Sequence, residues 1–188
     1  MFARPGTMIA LALAVALVPT VARADVFQVV SPAFHDGDVV TSTFAFDGIG
    51  VDNTPCGGGG QSPPLVWSGA PDGTKSFAVI AFDPDGRGGL GVAHWVLYGI
   101  PPTVNVLPQG IGSAPTAPYV GGANQFGKPS FRGFCPPKGQ SPHHYLLTVY
   151  ALDLAPDALA PGLTRAQLLD AFNNHVLRST SIVARYVR

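Results

Sequence analysis

The sequence predicts a mainly β protein with few helices. Its 23 Gly and 19 Pro are spread along all 188 residues, which is typical of many short elements joined by turns. Between these turn residues lie short apolar runs of strand length, and only one segment has clear helical spacing. We therefore predict strands at residues 26–30, 39–46, 76–82, 94–100, 145–152 and 181–187.

Two of these strands are predicted to lie at the centre of a sheet. Residues 76–82 and 94–100 are apolar on both of their faces, as expected for strands that are covered on either side. The single helix follows Thr164, which can cap it, and its apolar residues recur at helical spacing. We expect it to pack against the sheet through Leu168, Leu169, Phe172 and Val176.

Three Gly- and Pro-rich loops separate these elements, at 48–64, 86–91 and 107–139. The last is long enough that we expect it to cover or line a site. The second contains a G-x-G-x-x-G pattern, but a predicted strand follows it and a dinucleotide site needs a helix there. Residues 57–60 lack the Lys-Ser/Thr of a P-loop, and no G-x-S-x-G elbow is present to support a serine hydrolase.

The N-terminal segment has the pattern of a cleaved signal peptide. Residues 8–18 form an unbroken apolar run, and Ala22-Arg23-Ala24 has the small-x-small form of a cleavage site. The run is shorter than the 20 or so residues of a membrane span. We expect residues 1–24 to be removed, residues 25–188 to form a single domain, and the protein to be periplasmic or secreted with no transmembrane segment. No Cys lies near the cleavage site, so lipid anchoring at this site is not indicated.

Charge and composition exclude several function classes. Loss of Arg4 and Arg23 with the signal peptide leaves nine Lys and Arg against eleven acids, so no nucleic-acid partner is indicated. All the acids are Asp, and the absence of Glu excludes the His-Glu-x-x-His metalloprotease helix. No metal and no cofactor are expected.

The two cysteines, Cys56 and Cys135, are predicted to form a disulfide, because export leads to an oxidising compartment. The alternative is that one of them is a reactive thiol.

Polar side chains collect where several predicted strands begin or end. Asp83 and Asp85 follow one strand, His94 starts another, and His143 precedes a third. Alternation places His143 and Tyr145 on the same face of their strand and His144 on the other. These groups could converge on a small pocket. Alternatively, each is a hydrogen-bonded polar residue that closes the sheet end, with Asp83 in an Asp-Pro-Asp-Gly turn.

Four motifs follow one another along nearly all of the chain after residue 24. They are Ser62-Pro63-Pro64-Leu65-x-Trp67, Phe82-Asp83-Pro84-Asp85, His94-Trp95-Val96 with Ile100-Pro101, and Cys135-Pro136-Pro137-x-Gly139 with His143-x-Tyr145 and Tyr150-Ala151-Leu152-Asp153. In this order the motifs resemble the phosphatidylethanolamine-binding protein (PEBP) family, in its bacterial Raf-kinase-inhibitor-like branch.

The resemblance implies an antiparallel, Greek-key-like β-sheet core with few peripheral helices and a small pocket at one end. In the family this pocket binds anionic groups such as phosphate, a carboxylate or a phospholipid headgroup. The positions that correspond to the family's ligand-binding residues are Asp83, Asp85, His94, Pro136, His143 and Tyr145.

The chain departs from the family pattern at two places near this pocket. Gly86-Arg87 replace the usual Ala-Pro, which loosens the turn and adds a cation at the rim. Residues 130–134, Ser-Phe-Arg-Gly-Phe, replace the usual Gly-Tyr-x-Gly-Pro, so a Tyr hydroxyl is lost and Phe134 stands where Pro is expected.

Three functions are compatible with these residues. In the first, His94, His143 and the Tyr145 hydroxyl donate to the oxygens of a small anion or headgroup, and Asp83 fixes an imidazole tautomer. In the second, the same groups perform acid–base catalysis on a phosphoester or carbonyl compound, although no nucleophile is evident. In the third, which rests on the resemblance, the protein binds a protein partner such as an extracytoplasmic protease and inhibits it.

Overall fold

The computed structural model describes residues 1–2, 26–113 and 119–188. The expected signal peptide lies almost entirely outside these residues. The described part contains eight strands in two antiparallel sheets. The strands are β1 (Gln28–Val30), β2 (Leu65–Ser68), β3 (Ser76–Asp83), β4 (Val92–Ile100), β5 (Val106–Leu107), β6 (Val120–Gly121), β7 (His143–Leu152) and β8 (Val176–Tyr186).

Two α-helices are described, the one-turn α1 (Gly86–Gly89) and α2 (Arg165–Ala171), with short 3-10 helices at Ser42–Phe44 and Ile111–Ser113. The prediction of a mainly β, antiparallel protein with few helices is confirmed. None of the helices in the described part of the chain is long and apolar enough to cross a membrane.

The larger sheet has the strand order β6-β4-β3-β7-β8. Its central strands β3 and β4 are buried along almost their whole length, as the continuous apolar runs predict. Because β4 and β7 both pair with β3, the chain does not run through the sheet as a simple meander. Because both pairings are antiparallel, β3 ends where β4 and β7 begin, and these three points lie together at one end of the sheet.

Each face of this sheet is covered by a different element. On one face, the smaller sheet β1-β2-β5 packs over a core that includes Trp67, Phe77 and Leu147. On the other face, Leu168 and Phe172 from α2 and its end contact a second cluster around Ile80, Val96 and Tyr98. The burial of both faces removes enough apolar surface from water to dominate the stability of the fold.

Helix α2 begins as predicted and ends earlier than predicted. Thr164 accepts a hydrogen bond from the Gln167 backbone N–H, and the Gln167 side chain accepts from the Thr164 N–H, which is a capping box. After Phe172, Asn174 adopts a left-handed φ of 66° and ends the helical path. The prediction that Val176 belongs to the helix is therefore wrong, because Val176 starts β8 and pairs with Leu152.

The predicted strand at 39–46 is also wrong. This segment contains a 3-10 turn and only isolated bridges, Val39 with Arg185 and Ala45 with Phe134. Its backbone groups bond to the end of β8 and to the neighbouring loop, so no continuous ladder forms. Strand β2, which follows Pro63-Pro64, was not predicted because it is only four residues long.

The predicted loops are largely confirmed, with short elements inside them. The 86–91 loop contains α1, in which Arg87 has a left-handed φ of 54°. The 107–139 loop contains the end of β5, a 3-10 turn and β6. The predicted disulfide joins Cys56 to Cys135 with a Cα–Cα distance of 5.6 Å, so a free thiol at either position is excluded.

Candidate functional site

Three titratable side chains meet at the end of the larger sheet where β3 ends and β4 and β7 begin. Asp83 is the last residue of β3 and His143 the first of β7. His143 Nδ1 lies 2.8 Å from Asp83 Oδ2, and His94 Nε2 lies 4.0 Å from the same oxygen. All three residues are buried, with 3–6% of their surface exposed. The predicted convergence of Asp83, His94 and His143 is what the structure contains.

A β-bulge brings His94 into this group. The register pairs Ala81 with Trp95 but Phe82 with Ala93, so His94 is the extra residue in β4. Strict alternation would turn His94 away from the core that holds Trp95. Instead its ring packs edge-on against Tyr145, with centroids 5.1 Å apart, on the side of the β-sandwich core.

The second oxygen of Asp83 closes the turn after β3. Asp83 Oδ1 accepts the backbone N–H groups of Asp85 at 2.9 Å and Gly86 at 3.0 Å. Asp83 therefore has both of the roles considered from the sequence, since it closes an Asp turn and also bonds an imidazole. With Oδ2 accepting, the Nδ1 of His143 carries a proton.

A backbone carbonyl holds His94 in one tautomer. Its Nδ1 donates to the Arg132 carbonyl at 2.8 Å. Burial lowers the pKa of His94 below its ordinary 6.5, although the Arg132 carbonyl and the Asp83 charge oppose this shift. His94 is therefore neutral near pH 7, and its Nε2 is a hydrogen-bond acceptor. Asp83 orients His143, whereas Arg132 orients His94.

Gln140 covers the outer nitrogen of His143. Gln140 Oε1 lies 3.0 Å from His143 Nε2. With Nδ1 protonated, this contact requires either an imidazolium that donates from both nitrogens or a rotated Gln140 amide that donates to Nε2. In either state, a ligand that reaches His143 Nε2 must displace the Gln140 side chain.

Asp85 lies at the rim and is partnered by His144. Its Oδ2 accepts the His144 backbone N–H at 2.8 Å and contacts the His144 ring Nδ1 at 2.9 Å. Burial alone would raise the pKa of Asp85, but the hydrogen bonds and charge of His144 outweigh it and lower this pKa below 3.8. Asp85 is thus a fixed negative charge at the rim.

Tyr145 lies behind the cluster and is completely buried. Its ring stacks on Phe134 with centroids 3.9 Å apart, so the aromatic residue that replaces the family's Pro forms part of the core. The Tyr145 hydroxyl has no hydrogen-bond partner among the described residues. Burial, followed by the Asp83 charge, raises the pKa of Tyr145 above its usual range, and the backbone of Cys135 opposes the rise without reaching hydrogen-bond geometry.

A cavity of about 510 Å³ opens beside these groups. Asp83, Asp85, His94, Pro136 and His143 line it, and Tyr145 does not. Five of the six predicted residues therefore share one cavity. Its remaining wall comes from the start of β4 and from the loops, namely Val92 of β4 and the loop residues Gly50, Val51, Gly86, Arg87, Gly88, Gln125, Phe126, Arg132, Gly133, Cys135, Pro137 and Gln140.

Gly86 packs closely against Val92 and Asp83 on the cavity wall. A Cβ at this position would lie 2.7 Å from Val92 Cγ2 and 3.1 Å from Asp83 Oδ2. The Gly86-Arg87 departure from the family pattern therefore allows Val92 to pack directly against the backbone beside Asp83. It also adds a guanidinium to the wall, because Arg87 lines the cavity.

Arg188 and the disulfide hold the loop wall together. The Arg188 Nε donates to the Pro136 carbonyl at 2.8 Å, Nη1 donates to Thr54 and Pro55, and Nη2 pairs with Asp52 at 2.6 Å. The Arg188 side chain is only 8% exposed. Hydrogen bonding to Arg188 is the main reason that the pKa of Asp52 falls well below 3.8. The loop that contains Cys56 and the loop that contains Cys135 are thus joined by a covalent bond and by the hydrogen bonds of Arg188.

Several residues that form or support the wall were not predicted from the sequence. Phe126 and Gln140 stand in loops without periodicity, Arg132 was noted only within a departure from the family pattern, and Arg188 is distant in sequence from every motif. The only sequence feature that pointed to any of them was Arg132, which lies between Phe131 and Gly133-Phe134. In the described residues, no group of three or more His, Cys or acidic side chains is placed to hold a metal ion.

Known proteins share this sequence and fold. A family model described as phosphatidylethanolamine-binding protein matches residues 30–187. The Escherichia coli protein YbcL is 46% identical over 136 residues, which are 70% of this chain and 71% of YbcL. YbhB from the same organism is 38% identical over 162 residues, covering 85% of this chain and 99% of YbhB. LppC of Mycobacterium tuberculosis, a protein named as a candidate lipoprotein, is 35% identical over 153 residues, covering 79% and 66% of the two chains.

The crystal structure of YbcL has the same fold. It aligns with a TM-score of 0.78 and 38% sequence identity, and the alignment covers 86% of this chain and 98% of YbcL. YbcL is itself described as a new member of the mammalian PEBP family. The motifs, the strand arrangement and the relatives therefore lead to one assignment.

Proposed function

Because the chain belongs to the phosphatidylethanolamine-binding protein family, we propose that it is an exported binding protein whose cavity holds a small anionic ligand. The ligand is a phosphate, a carboxylate or a phospholipid headgroup. The observation that carries the proposal is the buried group of Asp83, His94 and His143 on the wall of one cavity. Asp85 and Pro136 on the same wall, and Tyr145 behind the ring of His94, complete the proposed ligand-binding residues.

The protonation states decide how such a ligand would bind. Asp83 adds a negative charge next to both imidazoles, and neutral His94 offers an acceptor at Nε2. An oxyanion therefore needs a proton at this point, either on its own oxygen or on His94. We expect ligand binding to be accompanied by proton uptake near neutral pH.

The cavity wall favours binding over covalent catalysis. Its described residues include no Ser or Thr, and Cys135 is held in the disulfide. A hydrolase acting on a small ester or phosphoester would have to use water activated by an imidazole. A protease inhibitor would have to use a surface other than this concave wall.

The proposal also places the protein in the periplasm or outside the cell. The Ala22-Arg23-Ala24 pattern, the disulfide and the similarity to LppC support export, with residues 1–24 removed after Ala24. Residues 25–188 are proposed to form one domain, because a single family model matches residues 30–187.

Native mass spectrometry of the protein purified from the cell envelope tests the proposal. We expect a passenger bearing phosphate or carboxylate at one molecule per chain, lost in His94→Ala and retained in His175→Ala. His175 is a matched control because it pairs with Asp153 and does not line the cavity.

Calorimetry with inorganic phosphate, acetate and glycerophosphoethanolamine provides the second part of this test. A wild-type protein that carries no passenger and binds none of the three probes would contradict the proposal. Turnover in a panel of esters would then support the hydrolase alternative, and a stable complex with an extracytoplasmic protease would support the inhibitor alternative.

A further inference from the structure

Arg132 occupies an unusual position on the cavity wall. Its Cζ lies 3.8 Å from the centroid of the Phe46 ring and 3.8 Å from the centroid of the Phe126 ring. Cation–π attraction to two rings holds a planar guanidinium in one place and reduces the entropy that it loses on binding. The side chain is half-buried, and burial lowers the pKa of Arg132, with the Asp47 charge opposing this shift. The guanidinium remains a cation at neutral pH.

Most of the hydrogen-bond donors of Arg132 have no acceptor among the residues that the structure describes. Nη2 makes one long hydrogen bond of 3.4 Å to the Ile49 carbonyl. No carboxylate lies within 4.0 Å of the Arg132 guanidinium among the described residues. The contrast is Arg188, whose Nε and both Nη atoms donate to protein acceptors. The remaining donors of Arg132 are available to the oxygens of an anion in the cavity.

The Arg132 backbone is joined to the proposed ligand-binding group. Its N–H donates to the His94 carbonyl at 2.8 Å, and its own carbonyl accepts from the His94 ring. Arg132 therefore places a permanent positive charge on the same wall as His94, whose ring is neutral. This charge compensates for Asp83 and Asp85, which would otherwise repel an anion from the cavity.

The cavity is larger than one oxyanion requires. A volume of about 510 Å³ lies within the range of sites that hold organic ligands of about 300–1,000 Å³. Apolar side chains form part of the wall near Arg132, since Phe126 is 38% exposed and Val51 is 69% exposed. Such partly exposed apolar groups would cover an apolar portion of the ligand.

We propose that Arg132 is an anion-binding residue of this cavity and that the ligand is an oxyanion carried on an aromatic or aliphatic group. The guanidinium edge binds the phosphate or carboxylate oxygens, and Phe126 and Val51 cover the apolar group. This inference rests on the proposed function and names the class of ligand that the same cavity takes.

Calorimetry with phenyl phosphate, inorganic phosphate and phenol tests the inference. We expect wild-type protein to bind phenyl phosphate at least about tenfold more tightly than inorganic phosphate, because the phenyl ring is removed from water. Phenol should bind most weakly. Arg132→Gln should weaken phenyl phosphate binding by about 10- to 100-fold, and Arg132→Lys by less, since it keeps the charge but loses the planar fork.

Arg165→Gln is the matched control. Arg165 also lies over an aromatic ring, 4.0 Å from the Phe82 centroid, but it does not line this cavity. Its replacement should leave the affinity for phenyl phosphate unchanged. Circular dichroism and thermal unfolding of each variant separate loss of binding from loss of folding.

The outcomes distinguish the two proposals. If Arg132→Gln binds phenyl phosphate as tightly as the wild type while His94→Ala does not bind it, the role of Arg132 is wrong and the proposed function stands. Equal affinity for phenyl phosphate and inorganic phosphate would contradict the apolar part of the ligand. If the wild type binds none of the phosphates, the proposed function and this inference both fail.

Discussion

His94 and Arg132 hold each other through two hydrogen bonds of 2.8 Å, one from the Arg132 N–H to the His94 carbonyl and one from the His94 ring to the Arg132 carbonyl. The orientation of the buried His94 ring therefore depends on the backbone of a loop residue, Arg132, whose side chain lines the cavity. A movement of residue 132 would change the tautomer or the direction of His94. The neutral ring and the fixed guanidinium act as one unit in the proposed site.

Stability should fall as the pH falls below about 7, because the folded state lowers the pKa of His94. The unfolded chain binds a proton near its ordinary pKa of 6.5, whereas the buried ring remains neutral to lower pH. Between the pKa of His94 in the folded state and that in the unfolded state, the unfolded chain holds more protons. The free energy of unfolding therefore decreases by up to about 1.4 kcal/mol for each unit by which the pH falls in this range.

Urea unfolding at about pH 7.5 and about pH 5.5 measures this effect. His94→Gln should reduce the difference in unfolding free energy between the two pH values. A difference that is the same in this variant and in the wild type would show that other groups are responsible.

Asp83→Asn should change both the stability and the tautomer of His143. Asp83 accepts two backbone N–H groups through Oδ1 and the His143 ring through Oδ2, and an amide can supply only one oxygen. We expect a loss of about 1–3 kcal/mol and a shift of the His143 proton to Nε2, visible in ring nitrogen NMR.

Asp85→Asn is the control for this substitution. Asp85 is 43% exposed on its side chain and bonds His144 at the rim. It should lose less stability than Asp83→Asn and leave the His143 tautomer unchanged. An unchanged tautomer in Asp83→Asn would refute the assignment of Asp83 as the group that orients His143.

Tyr145→Phe should leave the unfolding free energy unchanged or slightly increased. The variant keeps the ring that stacks on Phe134 and removes a buried hydroxyl that has no hydrogen-bond partner among the described residues. If this hydroxyl donates to a ligand as proposed, affinity for phosphate should fall by about tenfold. Chemical denaturation and calorimetry on the same variant separate the two effects, and an unchanged affinity would remove Tyr145 from the site.

The periodic parts of the chain could be predicted from the sequence, and the loops could not. Alternation in β7 correctly placed His143 and Tyr145 on one face, because a strand repeats every two residues and one face is buried. The bulge at His94 interrupts that repeat, so the direction of this ring had no signal in the sequence.

The wall of the cavity depends on contacts between distant loops. Phe126 is placed by Asn124, a buried side chain whose Oδ1 accepts the N–H groups of Phe126 and Lys128 and whose amide donates to the Ser130 carbonyl. No periodic pattern reports such a network. The strand prediction for residues 39–46 failed for a related reason. This segment has strand propensity, but no neighbouring strand pairs with it over more than an isolated bridge.

Removal of the disulfide should weaken both the fold and the cavity. Cys56 and Cys135 are 79 residues apart, and a cross-link of this length restricts the unfolded chain by about 4 kcal/mol in the chain-entropy model. The double variant Cys56→Ser with Cys135→Ser should lose stability of this order and bind phosphate more weakly, because Cys135 lines the cavity. Wild-type protein in a reducing agent should behave like the double variant, and equal stability of the oxidised and reduced forms would contradict the prediction.

Arg188→Ala should release the cavity wall. Its side chain joins Asp52, Thr54 and Pro55 to Pro136, so its loss removes four of the contacts that connect the two loops and leaves the disulfide as their covalent link. Thermal unfolding should occur several degrees lower, and phosphate should bind more weakly. The wild type should also lose stability in acid, since the folded pKa of Asp52 is below 3.8 and the pair with Arg188 is lost as the pH falls from that value.

Arg185→Ala is the control that separates a general loss of stability from an effect on the cavity. Arg185 lies near the end of β8, three residues before Arg188, and its Nε donates to the Gly37 carbonyl, away from the cavity. This variant should unfold at a lower temperature while keeping its affinity for phosphate. The Arg188 side chain holds Pro136 by donating to the Pro136 carbonyl. Of the two variants, only Arg188→Ala should therefore lower both the unfolding temperature and the affinity for phosphate. Equal affinities in the two variants would show that Arg188 stabilises the fold without positioning the proposed binding residues.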